Sequence, residues 1–228
     1  MIPLLVLRPE PGAAATAARA RELGLEVILA PLFAIRTIAP DLSTASAPPD
    51  ALLLTSANAA RSMGELSAPN AFAHLPIYAV GDATAAAARQ AGFAHVIAGS
   101  GDAAAIVAQA AADGVRRLLH LAGRDHRAVL HPALTIDRAI VYAADPVRFL
   151  PPHARAALAW PAVALVHSPR AAQHLAELVP DRERHAIAAI SRAAAEAAGQ
   201  GWRTIAVAPV PTDAALLAVA ARLCEGGG

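Results

Sequence analysis

Leu52-Leu-Leu-Thr-Ser56-Ala-Asn-Ala-Ala60 returns 112 residues later, in kind, as Ala164-Leu-Val-His-Ser168-Pro-Arg-Ala-Ala172. Both copies run from an apolar stretch through a small polar turn into an alanine-rich helical segment. Tyr78-Ala-Val-Gly81-Asp-Ala-Thr84 returns after 110 residues as Ala188-Ala-Ile-Ser191-Arg-Ala-Ala194. Gly101-Asp102-Ala-Ala-Ala returns after 111 as Thr212-Asp213-Ala-Ala-Leu. Three matches at nearly one spacing describe a duplicated chain. Apolar runs alternate with helical stretches throughout, the pattern of parallel βαβ units. The predicted strands are Leu4–Leu7, Glu26–Ala30, Ala51–Leu54, Ile77–Val80, His95–Ala98, Arg117–Leu121, Ala139–Tyr142, Val163–His167, Ala186–Ile190 and Thr204–Ala208. Turn residues able to cap the following helices are Asn58, Asp82, Asp102, Ser168, Ser191 and Asp213.

Leu4-Leu-Val-Leu-Arg8 with Val27-Ile-Leu29 corresponds in arrangement to Leu118-Leu-His-Leu-Ala122 with Ile140-Val-Tyr142. Either each consecutive half is a domain, or the first βαβ joins the last three units and the middle forms its own domain. The second solution fits better. Phe33–Ile38 and Ile140–Ala144 read as extended, each beside a proline-bearing stretch, Pro40 to Pro49 and Pro146 to Pro152. The expected fold is α/β: two similar parallel-sheet domains joined by a two-stranded antiparallel linker. Residues 1–35 plus 146–228 form the discontinuous domain, and residues 36–145 the inserted one.

Composition excludes several functions. The 228 residues are 56% hydrophobic, but mostly through alanine, and no stretch approaches the length of a membrane span. The first residues read as a strand rather than a signal peptide, so a cytoplasmic location is expected. A formal charge of +1 and 4% aromatics give no electrostatic or stacking basis for nucleic-acid binding. All 19 basic residues are arginine, which excludes lysine Schiff-base and Walker A chemistry. The single cysteine, Cys224, permits no disulfide within the chain.

Several candidate sites reduce to structure. Gly99-Ser-Gly101-Asp-Ala-Ala104 fits a dinucleotide fingerprint in letters, but the next strand ends without the ribose-binding acid, leaving a glycine turn capped by Asp102. His120, His126 and His131 lack metal-ligand spacing and read as packed or solvated. Ser56 and Ser168 stand at equivalent strand-to-helix turns without a nucleophile motif. They read as caps, and equally as anion contacts at helix N-termini. Tyr142 is either a partly buried core tyrosine or a hydroxyl donor. Arg8, at the carboxyl end of the first strand, is either a ligand contact or one arm of a salt bridge.

The chain resembles the uroporphyrinogen-III synthase family over its whole length. Val6-Leu-Arg8-Pro9, Leu54-Thr-Ser56-Ala-Asn58, Ala79-Val-Gly81-Asp82-Ala-Thr84, Val141-Tyr142 and His167-Ser168-Pro169 carry the resemblance. It implies two flavodoxin-like α/β domains with an active site in a cleft between them, and no metal or organic cofactor. The implied substrate is hydroxymethylbilane, a linear chain of four pyrroles bearing eight carboxylates. The product is its macrocycle with the terminal pyrrole inverted, formed through a spiro intermediate with loss of water. The catalytic residues the resemblance implies are Tyr142 and Thr84: Tyr142 matches the family tyrosine proposed as general acid, and Thr84 the family threonine near the cleft. The resemblance places Arg8, Ser56, Asn58, Gly81, Asp82, Ser168, Pro169, Arg170 and Ser191 among the substrate contacts, with helix N-termini holding carboxylates. Ser191-Arg-Ala-Ala194 departs from the glycine and threonine of many relatives. A cytosolic two-domain ligand-binding module is the rival reading. A monomer is expected, because no apolar helix face is left over.

Overall fold

β4 (Ala51–Leu54), the strand of the opening quotation, is buried at every residue, as a strand covered on both faces must be. Leu52 and Leu54 pack into one core with Met63, Ile77 and Leu121, while Ala51 and Leu53 pack into another with Tyr78 and Ile106. Each such leucine contributes roughly 1.5–3 kcal/mol by leaving water. The computed structural model describes residues 2–43, 47–66, 72, 74–126 and 128–226. Residues 44–46 of the predicted proline linker lie outside the described residues.

β4 is part of a six-stranded sheet. From one edge it comprises β3 (Phe33–Thr37), β8 (Thr135–Pro146), β7 (Arg117–Gly123), β4, β5 (Ile77–Ala79) and β6 (Val96–Ala98). A five-stranded sheet has the order β11 (Thr204–Val207), β10 (Ala186–Ala189), β9 (Val163–Val166), β1 (Leu4–Val6) and β2 (Val27–Leu29). The duplication is visible in the registers. Leu4 stands opposite Val163 and Val27 in one sheet, and Leu118 opposite Ala51 and Ile136 in the other. Apart from the antiparallel edge strand β3, both sheets have the same parallel strand order. They differ in chain order, because β1 and β2 precede their neighbours while β7 and β8 follow theirs. The chain divides into two compact units, Met1–Ala34 with Pro146–Gly228, and Ile35–Asp145.

Helices cover the sheets in the expected places. α1 (Gly12–Glu22) buries Ala13, Thr16, Ala17 and Ala20, one face at helical spacing. α2 (Ala57–Glu65) packs on α3 (Asp82–Gln90), and their repeat partners α6 (Pro169–Leu178) and α7 (Arg192–Ala198) do the same. α4 (Ala103–Ala112), α5 (Pro152–Ala157) and α8 (Asp213–Glu225) complete the set.

Some details differ from the sequence reading. Strand β8 has twelve residues instead of four, because its hydrogen bonding continues on both sides of the apolar centre. β3, by contrast, falls on the Phe33–Ile38 stretch read as extended and runs antiparallel to β8: Ile38 N donates to Val141 O at 2.8 Å, and Val147 N to Leu32 O at 3.0 Å. Three caps sit one or two residues earlier than expected. Ser56, not Asn58, caps α2; Gly81, not Asp82, precedes α3; Thr212, not Asp213, caps α8. A capping side chain must belong to the non-helical residue before the first turn, and the three expected residues already have helical backbone.

Candidate functional site

Parallel sheets place ligands beyond the carboxyl ends of their strands, where the chain order reverses. In unit Ile35–Asp145 that point lies between β4 and β7: the chain leaves β4 toward β5 and β6, then returns to the other side of β4. A cavity of about 450 Å³ opens there, a size typical of small-molecule sites. Thr55 and Ser56 line it after β4, Gly101 and Asp102 after β6, and Gly123 at the end of β7. Asp125, His126 and Tyr142 close the remaining side.

The position of Tyr142 depends on a slip in strand pairing. Along β7 and β8 the register runs Leu121 with Ala139 and Ala122 with Ile140, then jumps to Gly123 with Tyr142. The extra residue, Val141, forms a bulge of the kind that re-aims a side chain beside a site, and such bulges are rare in parallel pairs. The tyrosine ring then lies over Gly123. A β-carbon on Gly123 would stand 2.5 Å from Tyr142 Cζ and 2.8 Å from its hydroxyl oxygen. Only glycine leaves room for this ring. Gly123→Ala is expected to displace Tyr142 and reduce kcat at least tenfold while the β7–β8 ladder persists; unchanged kcat with an unmoved ring in a crystal structure would refute the seat. The other tyrosine has a structural role: Tyr78 donates to Asp113 at 2.9 Å, and burial followed by that carboxylate pushes its hydroxyl up to about 12.

Beneath Thr55 lies His120, 1% exposed, with Nε2 2.8 Å from the threonine Oγ1. Burial first, then Arg138 and His126, depresses its pKa to about 4, so the ring is neutral near pH 7. Its Nδ1 is buried without a partner. His126 packs edge-on to it, ring centroids 6.2 Å apart, and donates from Nδ1 to the Gly123 carbonyl at 2.8 Å.

The cavity is acidic rather than basic. Asp102 and Asp125 line it, and no arginine is among the described lining residues. Asp102 accepts from Ala104 N and Ala105 N at 3.2 Å, so its own carboxylate occupies the N-terminus of α4. Asp102 thus caps α4, as its place in the glycine turn predicts.

The other candidate residues are distributed as follows. Gly81 backs the cavity without lining it, its missing β-carbon position 3.4 Å from Gly101 Cα. Gly101 itself holds a φ of +103°, which favours glycine. Thr84 is buried in the first turn of α3, outside the lining, and Asp82 is exposed beside it. Asn58 accepts from Arg61 at 3.0 Å. In the other unit, Ser168 caps α6 through Ala171 N at 3.2 Å, with Pro169 in the first helical position. The Arg170 guanidinium stacks 4.5 Å from the centre of the Phe33 ring. Ser191 caps α7 and lines a shallow hollow of about 460 Å³ with Arg192 and Pro209.

Arg8 belongs to an internal network. It reaches Thr16 at 3.3 Å and Asp213 at 3.5 Å, while Asp213 also accepts from Thr16 at 2.9 Å, Arg19 at 3.0 Å and His167 at 2.9 Å. Burial alone would raise the Asp213 pKa, but these hydrogen bonds outweigh it and hold the carboxyl below its ordinary value. Cys224 is buried in the core, its thiol pushed up to about 11. Among the described residues no three of His, Cys, Asp or Glu gather as metal ligands would, and no helix is long and apolar enough to cross a membrane.

Sequence reasoning did not name Thr55, Gly123, Asp125 and His126 as cavity residues. The available signal was positional: Thr55 directly follows a predicted parallel strand, and the other three lie within five residues of the end of another.

A profile of the family described as uroporphyrinogen-III synthase HemD matches residues 14–218. No curated protein sequence matches. Among solved structures, the uroporphyrinogen-III synthetase of Helicobacter pylori 26695 superposes with a TM-score of 0.69 at 16% identity, covering 98% of this chain and 100% of that one. A mutant uroporphyrinogen III synthase from the extremely thermophilic bacterium Thermus thermophilus gives 0.50 at 15% identity, covering 98% and 99%. At such identities the likeness is one of fold.

Proposed function

The chain belongs to the uroporphyrinogen-III synthase family, and from that premise we propose that it closes hydroxymethylbilane to uroporphyrinogen III, releasing water and inverting the terminal pyrrole. The supporting observation in the molecule is the Tyr142 hydroxyl at the strand-end cavity, held over Gly123. The first pyrrole loses its hydroxyl once a general acid protonates the departing oxygen, and Tyr142 is that acid. The azafulvene cation left behind is captured by the substituted α-carbon of the last pyrrole, giving the spiro intermediate. Its fragmentation and reclosure at the free α-carbon invert that ring. Carboxylates at the cavity wall, Asp102 and Asp125, favour the positive charge of this sequence.

Substrate carboxylates would then lie at or beyond the mouth of this cavity. Ser56 at its wall and Asn58, Gly81 and Asp82 near it serve as contacts, and Arg8, Ser168, Pro169, Arg170 and Ser191 serve in the other unit. Thr84 supports the turn beside the cavity. Residues 1–35 plus 146–228 and residues 36–145 act as the two domains of a cytoplasmic monomer.

Isomer analysis tests the reaction. Hydroxymethylbilane generated in situ, treated with the protein and oxidised, should yield mainly uroporphyrin III. Only isomer I from folded protein, as in the protein-free control, would remove the synthase reading.

A further inference from the structure

We infer that His126 is the proton acceptor of the cyclisation, a role that rests on the synthase reading. The reaction must dispose of a proton it does not lose as water. One proton enters on the departing hydroxyl as the C–O bond breaks. In the last step a C–C bond forms at the free α-carbon of the inverted pyrrole, and the C–H bond there must break. Its electron pair restores the aromatic ring, and its proton needs a base.

Among the described lining residues, His126 supplies the nitrogen base for that task. A carbonyl oxygen only accepts, so the 2.8 Å contact to Gly123 places a proton on His126 Nδ1. With that single proton the ring has its lone pair on Nε2, which has no described hydrogen-bond partner. The side chain lines the same cavity as Tyr142, and both are fixed on Gly123, one through its carbonyl and one over its Cα. The alternatives serve less well. Asp102 is committed to two backbone N–H groups, Asp125 is itself partnered, His120 is buried, and the Thr55 hydroxyl is a weak base and bonded to His120. Passing that proton to the Tyr142 oxygen restores both groups, so the cycle closes without a further reactant.

His126→Asn separates the two ring nitrogens, because the asparagine amide can still donate to Gly123 O but offers no base. In this variant kcat is expected to fall by about 10²–10⁴-fold, as for loss of a general base, with KM within a few-fold of wild type. Hydroxymethylbilane deuterated at the free α-carbon should show a larger isotope effect on kcat in the variant than in the wild type. His126→Gln, which places an amide near the Nε2 position, should behave alike if His126→Asn perturbs the fold. A kcat within about threefold of wild type, or a loss without any change in isotope effect, overturns the assignment. Wild-type protein making isomer III alongside a fully active variant would refute this inference only. Wild-type protein making isomer I alone would refute the synthase reading as well.

Discussion

Tyr142→Phe is expected to lower kcat by about 10²–10⁴-fold, the usual share of a general acid, with KM and thermal stability little changed. The change removes one oxygen from a side chain that is only half-buried, and leaves its ring over Gly123. No packing is lost, so a fall in rate can be assigned to the hydroxyl. Tyr78→Phe is the matched control. Its hydroxyl donates to Asp113 away from the cavity, so removal should affect stability, by about 1 kcal/mol, and not rate. A Tyr142→Phe enzyme turning over at the wild-type rate would transfer the acid role elsewhere. Equal losses in both variants would point to a general loss of structure.

The second large effect is on stability toward acid. His120 titrates near 4 in the folded chain, against an ordinary value of 6.5, because burial, Arg138 and His126 all disfavour its charged form. As pH falls through 6.5 the unfolded chain binds this proton and the folded chain does not. Stability is therefore complete above about 6.5 and declines progressively toward about 4. Over that window the loss is on the order of 3 kcal/mol, at roughly 1.4 kcal/mol per pKa unit. His167 and His185 are also lowered, chiefly by burial, and contribute in the same direction. Urea unfolding at pH 7 and pH 4.5 should show the decline. His120→Gln, which can still bond Thr55, should lose a substantial part of it; an identical pH dependence would mean that His120 is not its source.

Much of the fold is legible in local chemistry. Ala51–Leu54 has to be apolar at every position because helices cover both faces of its sheet, so a continuous short apolar run marks it. Ser56, Ser168 and Ser191 announce helix starts because a hydroxyl before the first turn satisfies a free N–H. The full length of Thr135–Pro146 was harder to see, since its pairing depends on neighbours far along the chain. The candidate site was legible only in part. Ser56 and Tyr142 were named from sequence and line one cavity, whereas Arg8 proved to be bound within the Asp213 network.

The sequence by itself determined the α/β class, the duplication and the family, because strand and helix periods, capping residues and repeated turns are properties of neighbouring residues. Only the tertiary structure decided that Val141 bulges, that Tyr142 therefore rests on a glycine nineteen residues before it, and that His126 is fixed in one tautomer by that glycine's carbonyl. A register slip of one residue leaves no mark on composition or periodicity. The chemistry of a histidine depends on which partners the fold brings to each of its nitrogens.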